Sequence, residues 1–176
     1  MAKLSLDERL NQIEKKISDQ SFRSNKGLGN EVGYYIFDYD PREELHVRNH
    51  IQYLKNRINE SSLGFRIIEI DLFHLMIQVL EGEGYLEAFF DLERENGFFD
   101  MADSLVETLG LDETDERNLI ISKIVEQDLT DSVVFLTGVG KCHPVIASHN
   151  ILNNLHQVLD SVPVVMFYPG EYSGQD

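Results

Sequence analysis

Apolar residues recur along this chain with two periods, and the switches between them mark out its elements. Leu6, Leu10, Ile13 and Ile17 follow a helical spacing behind Ser5 and Glu8. Those two residues form a Ser-x-x-Glu capping box, which predicts a helix over 6–18. Residues 25–30, Asn-Lys-Gly-Leu-Gly-Asn, read as a turn-rich loop. Residues 34–38 are a continuous run rich in aromatics, the signature of a buried strand. Asp40 is then placed to cap a helix, with Pro41 in its first turn and Glu43 completing a second capping box. Val47, Ile51, Leu54 and Ile58 supply that helix's buried stripe. Gly64 precedes a second strand over 65–70. From 71 to 131 the pattern is helical, with short helices predicted over 72–80, 85–94, 101–109 and 117–129. Gly82, Gly84, Gly97 and Gly110 punctuate them. A third strand over 133–136, a helix over 144–159 and a fourth strand over 164–167 complete the series. The apolar face of that last helix is Val145, Leu152, Leu155 and Leu159, and Pro169-Gly170 ends the final strand.

The order strand, glycine turn, helix, strand over 132–170 is a βαβ unit, and it implies a parallel sheet. The fold class is α/β: a mainly parallel open sheet of at least four strands flanked by helices, Rossmann-like or P-loop-like in topology. An ordinary crossover needs only a dozen or so residues. The segment 71–131 is therefore predicted to be a helical insertion between strands two and three, within a single domain over 1–176. A chain of 176 residues with 42% apolar content is long enough to bury a core. It contains no apolar run of the ~20 residues a membrane helix needs. Cys142 is the lone cysteine. A reducing cytoplasm is the simplest expectation.

Charge changes the picture more than composition does. The net charge is −16. Residues 81–118 carry 13 acidic side chains against Arg94 and Arg117 alone. Direct nucleic-acid binding requires Lys and Arg to replace counterions on phosphate, and no basic stripe is present. The same acidic field suits solubility or the steering of a basic protein partner. Glu81, Glu83, Glu87 and Asp91 are the candidate docking residues on that segment.

Two strand ends carry candidate chemistry, because ligands of open parallel sheets bind at the carboxyl ends of strands. At the first, Thr137-Gly138-Val139-Gly140-Lys141 has glycines that permit unusual backbone angles and a lysine to meet an anion. A phosphate loop also requires a glycine five residues before the Gly-Lys pair and a Ser or Thr after it. Phe135 and Cys142 occupy those positions, so the loop lacks the groups that hold phosphate and Mg²⁺. At the second, Asp38 and Asp40 follow the first strand. Two carboxylates so spaced resemble haloacid-dehalogenase-type phosphatases, where one attacks phosphorus and the other serves as acid and base. That pattern also needs an acidic pair after the last strand, and Glu171 alone stands there, one step late. Asp40 already has a use as a helix cap. His46 and His50 lie one helical turn apart, as do His149 and Asn153 with His156 nearby, and all read as surface or hydrogen-bonded side chains rather than metal ligands. Cys142 lies between Lys141 and His143 near an expected helix start, a setting that lowers a thiol's pKa. An inert, buried thiol is the simpler reading. No catalytic residue, metal or cofactor is assigned from these residues.

Three stretches carry a family resemblance: KGLGNEVGYYIFDYDP (26–41), FLTGVGKCHPVIASHNILNNLHQVL (135–159) and VPVVMFYPGEYSGQ (162–175). Together they resemble the BrxB family of BREX (bacteriophage exclusion) systems, a domain classed by sequence without an assigned function. The resemblance implies a role in phage defence beside a methyltransferase, a large ATPase and PglZ, an alkaline-phosphatase-superfamily protein expected to be the partner. It also implies that such chains continue past the Tyr-x-Gly-Gln segment beyond residue 176. It brings no catalytic residues. The resulting expectation is a non-catalytic adaptor or scaffold subunit. The rival is a divergent phosphohydrolase using Asp38 and Asp40, or a nucleotide binder at Gly138, Gly140 and Lys141.

Overall fold

The computed structural model describes residues 4–24 and 33–173. The loop expected over 25–30 lies outside the described residues. Four strands form one open, all-parallel sheet: β1 (Tyr34–Tyr39), β2 (Arg66–Asp71), β3 (Ser132–Thr137) and β4 (Val164–Pro169), in the order β1-β4-β3-β2. β4 is central, pairing Ile36 with Met166 on one side and Leu136 with Met166 on the other. Every residue of β3 is buried, as a strand covered on both faces must be. The chain divides into two compact units.

The first unit comprises Met1–Glu69, Leu129–Leu136 and Asp160–Tyr172. Its helices are α1 (Leu6–Ser18), the short α2 (Gln20–Arg23) and α3 (Glu44–Asn59). The capping box at Ser5 and Glu8 forms as its sequence predicts. Alternate strand residues Phe37, Tyr39, Phe135, Val165 and Phe167 point to one face of the sheet, as period-2 geometry requires. They meet Leu10, Ile13 and Ile17 of α1, and Val47, Ile51, Leu54 and Ile58 of α3. The rings of Phe135 and Phe37 lie 5.0 and 5.8 Å from that of Phe167. One expectation fails here. Asp40 caps a short 3₁₀ turn, Pro41–Glu43, rather than the α-helix itself. The α-helix begins at Glu44 with no side-chain cap, so Glu43 completes no capping box. The proline-led turn uses up the residues that would have formed it.

The second unit comprises Ile70–Asp128 and Thr137–Leu159, with Ser173–Asp176. It holds α4 (Leu72–Gly82), α5 (Leu86–Asn96), α6 (Phe98–Leu109), α7 (Leu119–Val125), α8 (Val139–Cys142) and α9 (Ser148–Val158). The four helices expected between strands two and three are all present. α7 is shorter than predicted: it starts behind Asn118 at Leu119 and ends already at Val125. This buried side chain accepts from the Ile121 amide at 3.1 Å and donates to the Glu113 carbonyl at 3.1 Å. α6 ends on Gly110 at φ +62°, where an added Cβ would lie 2.3 Å from the Arg117 carbonyl oxygen. The helix expected over 144–159 is corrected: it begins only at Ser148. His143 is extended ahead of Pro144, as the ring of a proline imposes on the residue before it. The buried face of α9 is Ser148, Ile151, Asn154 and Leu155, and Leu152 is only partly buried.

Candidate functional site

At the end of β1, Arg9 of α1 reaches across to Asp38. One guanidinium nitrogen donates to its carboxylate at 2.8 Å and to its carbonyl oxygen at 2.7 Å. The same guanidinium lies over the Phe37 ring, 4.7 Å from the centroid. Asp40 accepts from the Arg42 amide and pairs with the Arg42 side chain. Those hydrogen bonds hold its carboxyl well below the usual range, at about 2. Asp38, Asp40, Arg9, Arg42, Gly170 and Glu171 line an open polar depression. Each aspartate thus has a guanidinium of its own. Among the described residues, no group of three His, Cys, Asp or Glu side chains is placed to hold a metal ion. His46 pairs with Asp7 at 2.7 Å, while burial lowers the pKa of His50. His149 and Asn153 share a hydrogen bond at 2.9 Å on α9.

The glycine turn after β3 is shaped by a carboxylate. Gly138 sits in the left-handed region at φ +73°, and a Cβ there would lie 2.2 Å from Asp71 Oδ1. Only glycine admits this approach without strain. Asp71 caps α4 by accepting from the His74 amide at 3.0 Å, and its other oxygen receives Lys141 Nζ at 2.6 Å. Burial pushes the Asp71 carboxyl up, but Lys141 and the α4 amides outweigh it, and the net shift is downward. The lysine read as an anion ligand therefore already has an internal counterion. Gly140 lies within α8, a helix of 4 residues. Cys142 is at the end of that helix, not its start, and is 1% exposed. Burial, then Asp71, push its thiol up to about 12, opposed only by Lys141. The inert, buried thiol that was the simpler expectation is borne out, and the basic neighbours do not bring its pKa below the usual thiol value.

A third feature escaped the sequence reading. Within the second unit an apolar cavity of about 200 Å³ lies among α4, α5 and α6, with Met76, Leu80, Phe89, Met101 and Leu105 in its walls. Phe73, Phe90 and Phe98 also line it, and these three residues remain 37%, 46% and 41% exposed. Lys141 Nζ lies 5.4 Å from the Phe73 ring centroid. Adjacent aromatics at 89–90 and 98–99 stand about 100° apart on a helix, and here Phe89 is buried while Phe90, Phe98 and Phe99 stay exposed. Glu81, Glu83, Glu87 and Asp91, the predicted docking residues, are all exposed on or beside α4 and α5. Asp91 pairs with Arg94 at 2.5 Å, so one of the segment's two cations is already neutralised. Arg117 likewise pairs with Glu113 and Asp115.

The fold and these sites define an α/β protein with a parallel open sheet, an acidic helical unit and a partly exposed aromatic cavity. The family model for BREX protein BrxB matches residues 68–176. A BREX protein BrxB of Bacillus cereus (strain H3081.97) is 48% identical over 170 residues, covering 96% of this chain and 86% of that relative. Another, from Escherichia coli O9:H4 (strain HS), is 32% identical over 169 residues, covering 96% of this chain and 81% of its own length. The chain belongs to the BrxB family of BREX. No solved structure matches it. No helix among the described residues is long and apolar enough to cross a membrane.

Proposed function

We propose that this chain is a non-catalytic, protein-binding subunit of a BREX phage-defence assembly, with PglZ as its partner. Family membership supports the assembly. The observation that carries the docking role is the aromatic-mouthed cavity set among the carboxylates of α4 to α6. Aromatic anchors in a desolvated pocket, with charge around them, are what protein interfaces concentrate. The engaged state of the other candidate groups fits the same reading: Asp38 with Arg9, Asp40 with Arg42, and Lys141 with Asp71. Co-expression with each BREX component, followed by sizing of the complex, tests the proposal. A stable complex with PglZ supports it, and failure to join any BREX component defeats it.

A second reading rests on one specific observation: Asp38, Asp40 and Glu171 line the same open depression. Under it the chain is a divergent phosphohydrolase. Turnover of generic phosphoesters with Mg²⁺, abolished in Asp38→Asn, would replace the adaptor reading. Nucleotide binding at Gly138, Gly140 and Lys141 would instead show as a thermal shift with ATP that Lys141→Ala removes.

A further inference from the structure

α5 buries Phe89 alone among its 11 residues. Its neighbour Phe90 stands with Phe73 and Phe98 around the opening of the apolar cavity, each more than a third exposed. The helices that carry this opening are densely acidic. Glu87, Asp91, Glu93 and Glu95 lie on α5, and Asp100, Asp103 and Glu107 on α6. The one cation on these two helices, Arg94, is paired with Asp91. We infer that this groove receives an amphipathic helix of the partner protein, with bulky apolar anchors one turn apart and Lys or Arg residues flanking them. The anchors enter between Phe73, Phe90 and Phe98, and the flanking cations meet the α5 and α6 carboxylates.

Charge selects this occupant over others. The second unit carries 4 basic and 17 acidic residues, a net of −13. A second copy of the chain would bring the same sign of charge to the groove. Nucleic acid and anionic lipid headgroups meet the same repulsion. A helix with basic flanks gains from the field and fills the apolar space. The inference rests on the protein-docking reading and specifies what docks.

The probe is a synthetic amphipathic peptide with Leu and Phe on one face and Lys on the other, titrated against the full chain by fluorescence anisotropy. A matched peptide carries Glu in place of Lys. The Lys peptide is expected to bind, to weaken several-fold as salt is raised, and to compete with the co-purified BREX partner. Phe90→Ala and Phe98→Ala should each weaken both interactions by roughly tenfold, the usual effect of truncating an aromatic anchor. Thermal melts establish that these variants fold. Should either fail to fold, the Lys and Glu peptides compared on the unaltered chain decide the matter. Equal binding of the two peptides overturns the inference. So does a BREX partner that is captured by the unaltered chain, resists the Lys peptide and ignores both Phe substitutions, and in that case the docking reading survives. Capture of no BREX component brings down the docking reading and this inference together.

Discussion

The two units of this chain spend their aromatic and charged residues in opposite ways. The first unit carries 11 basic and 14 acidic residues, a net of −3, and the second a net of −13. In the first, Phe37, Phe135 and Phe167 are fully buried and stacked across the sheet, and Asp38 and Asp40 are each matched by an arginine. In the second, Phe73, Phe90, Phe98 and Phe99 remain exposed, and the seven carboxylates of α5 and α6 share one cation on those helices, Arg94. The first unit buries its sheet aromatics and pairs its candidate aspartates, although Leu45, Tyr53 and Leu63 stay exposed. The second keeps apolar area and charge facing outward, which costs stability unless something covers it. The candidate strand-end aspartates are internally paired, whereas Phe73, Phe90, Phe98 and Phe99 of the second unit are not buried.

Substitutions should separate the units accordingly. The largest effect is expected in the first unit's core. Phe135→Ala, at a fully buried position, should cost about 3–5 kcal/mol in urea unfolding. Next is Gly138→Ala, which forces a side chain into a left-handed position against Asp71 and should cost about 1–3 kcal/mol. Combined charge reversal at Glu81, Glu83, Glu87 and Asp91 should weaken partner capture by about tenfold at low salt, or ~1.4 kcal/mol, with little change in melting temperature. Loss of the Asp71–Lys141 pair should be smaller, at about 1 kcal/mol or less for a pair this exposed. Its pH dependence has a definite sign. The folded carboxyl pKa of Asp71 is depressed, so its contribution is present above the unfolded value near 3.8 and is lost as pH falls through the lower folded value. Urea melts at pH 6 and pH 3 should show that loss, and Lys141→Met should reduce it. Smallest in energy is the thiol. Cys142, buried and with a raised pKa, should react with a thiol reagent at neutral pH only slowly until the chain is unfolded.

Much of the fold was legible because its signals are local. The capping box at Ser5, the stripe from Val47 to Ile58 and the buried run at β3 each act over a few residues, and each appears where it was read. The glycines at 97 and 110 likewise end helices where they were placed. What was misread depended on partners distant in sequence or on competing local geometry. Lys141 looked like a free cation because its counterion, Asp71, lies 70 positions away. Cys142 reads as an inert, buried thiol despite its basic neighbours, and its burial bears that out. The late start of α9 follows from the extended backbone of Ala147, which caps it ahead of Ser148. The cavity was not read from the sequence, because it forms only where α4, α5 and α6 pack together.

The proposed docking surface is the acidic second unit with its aromatic-lined cavity. The most direct measurement co-expresses tagged chain with PglZ and compares three forms: unaltered, Phe90→Ala combined with the four charge reversals, and Asp38→Asn. PglZ is expected to co-purify with the first and third in equal amount and to be lost from the second. Retention by the second form, or loss from Asp38→Asn alone while it remains folded, would contradict it.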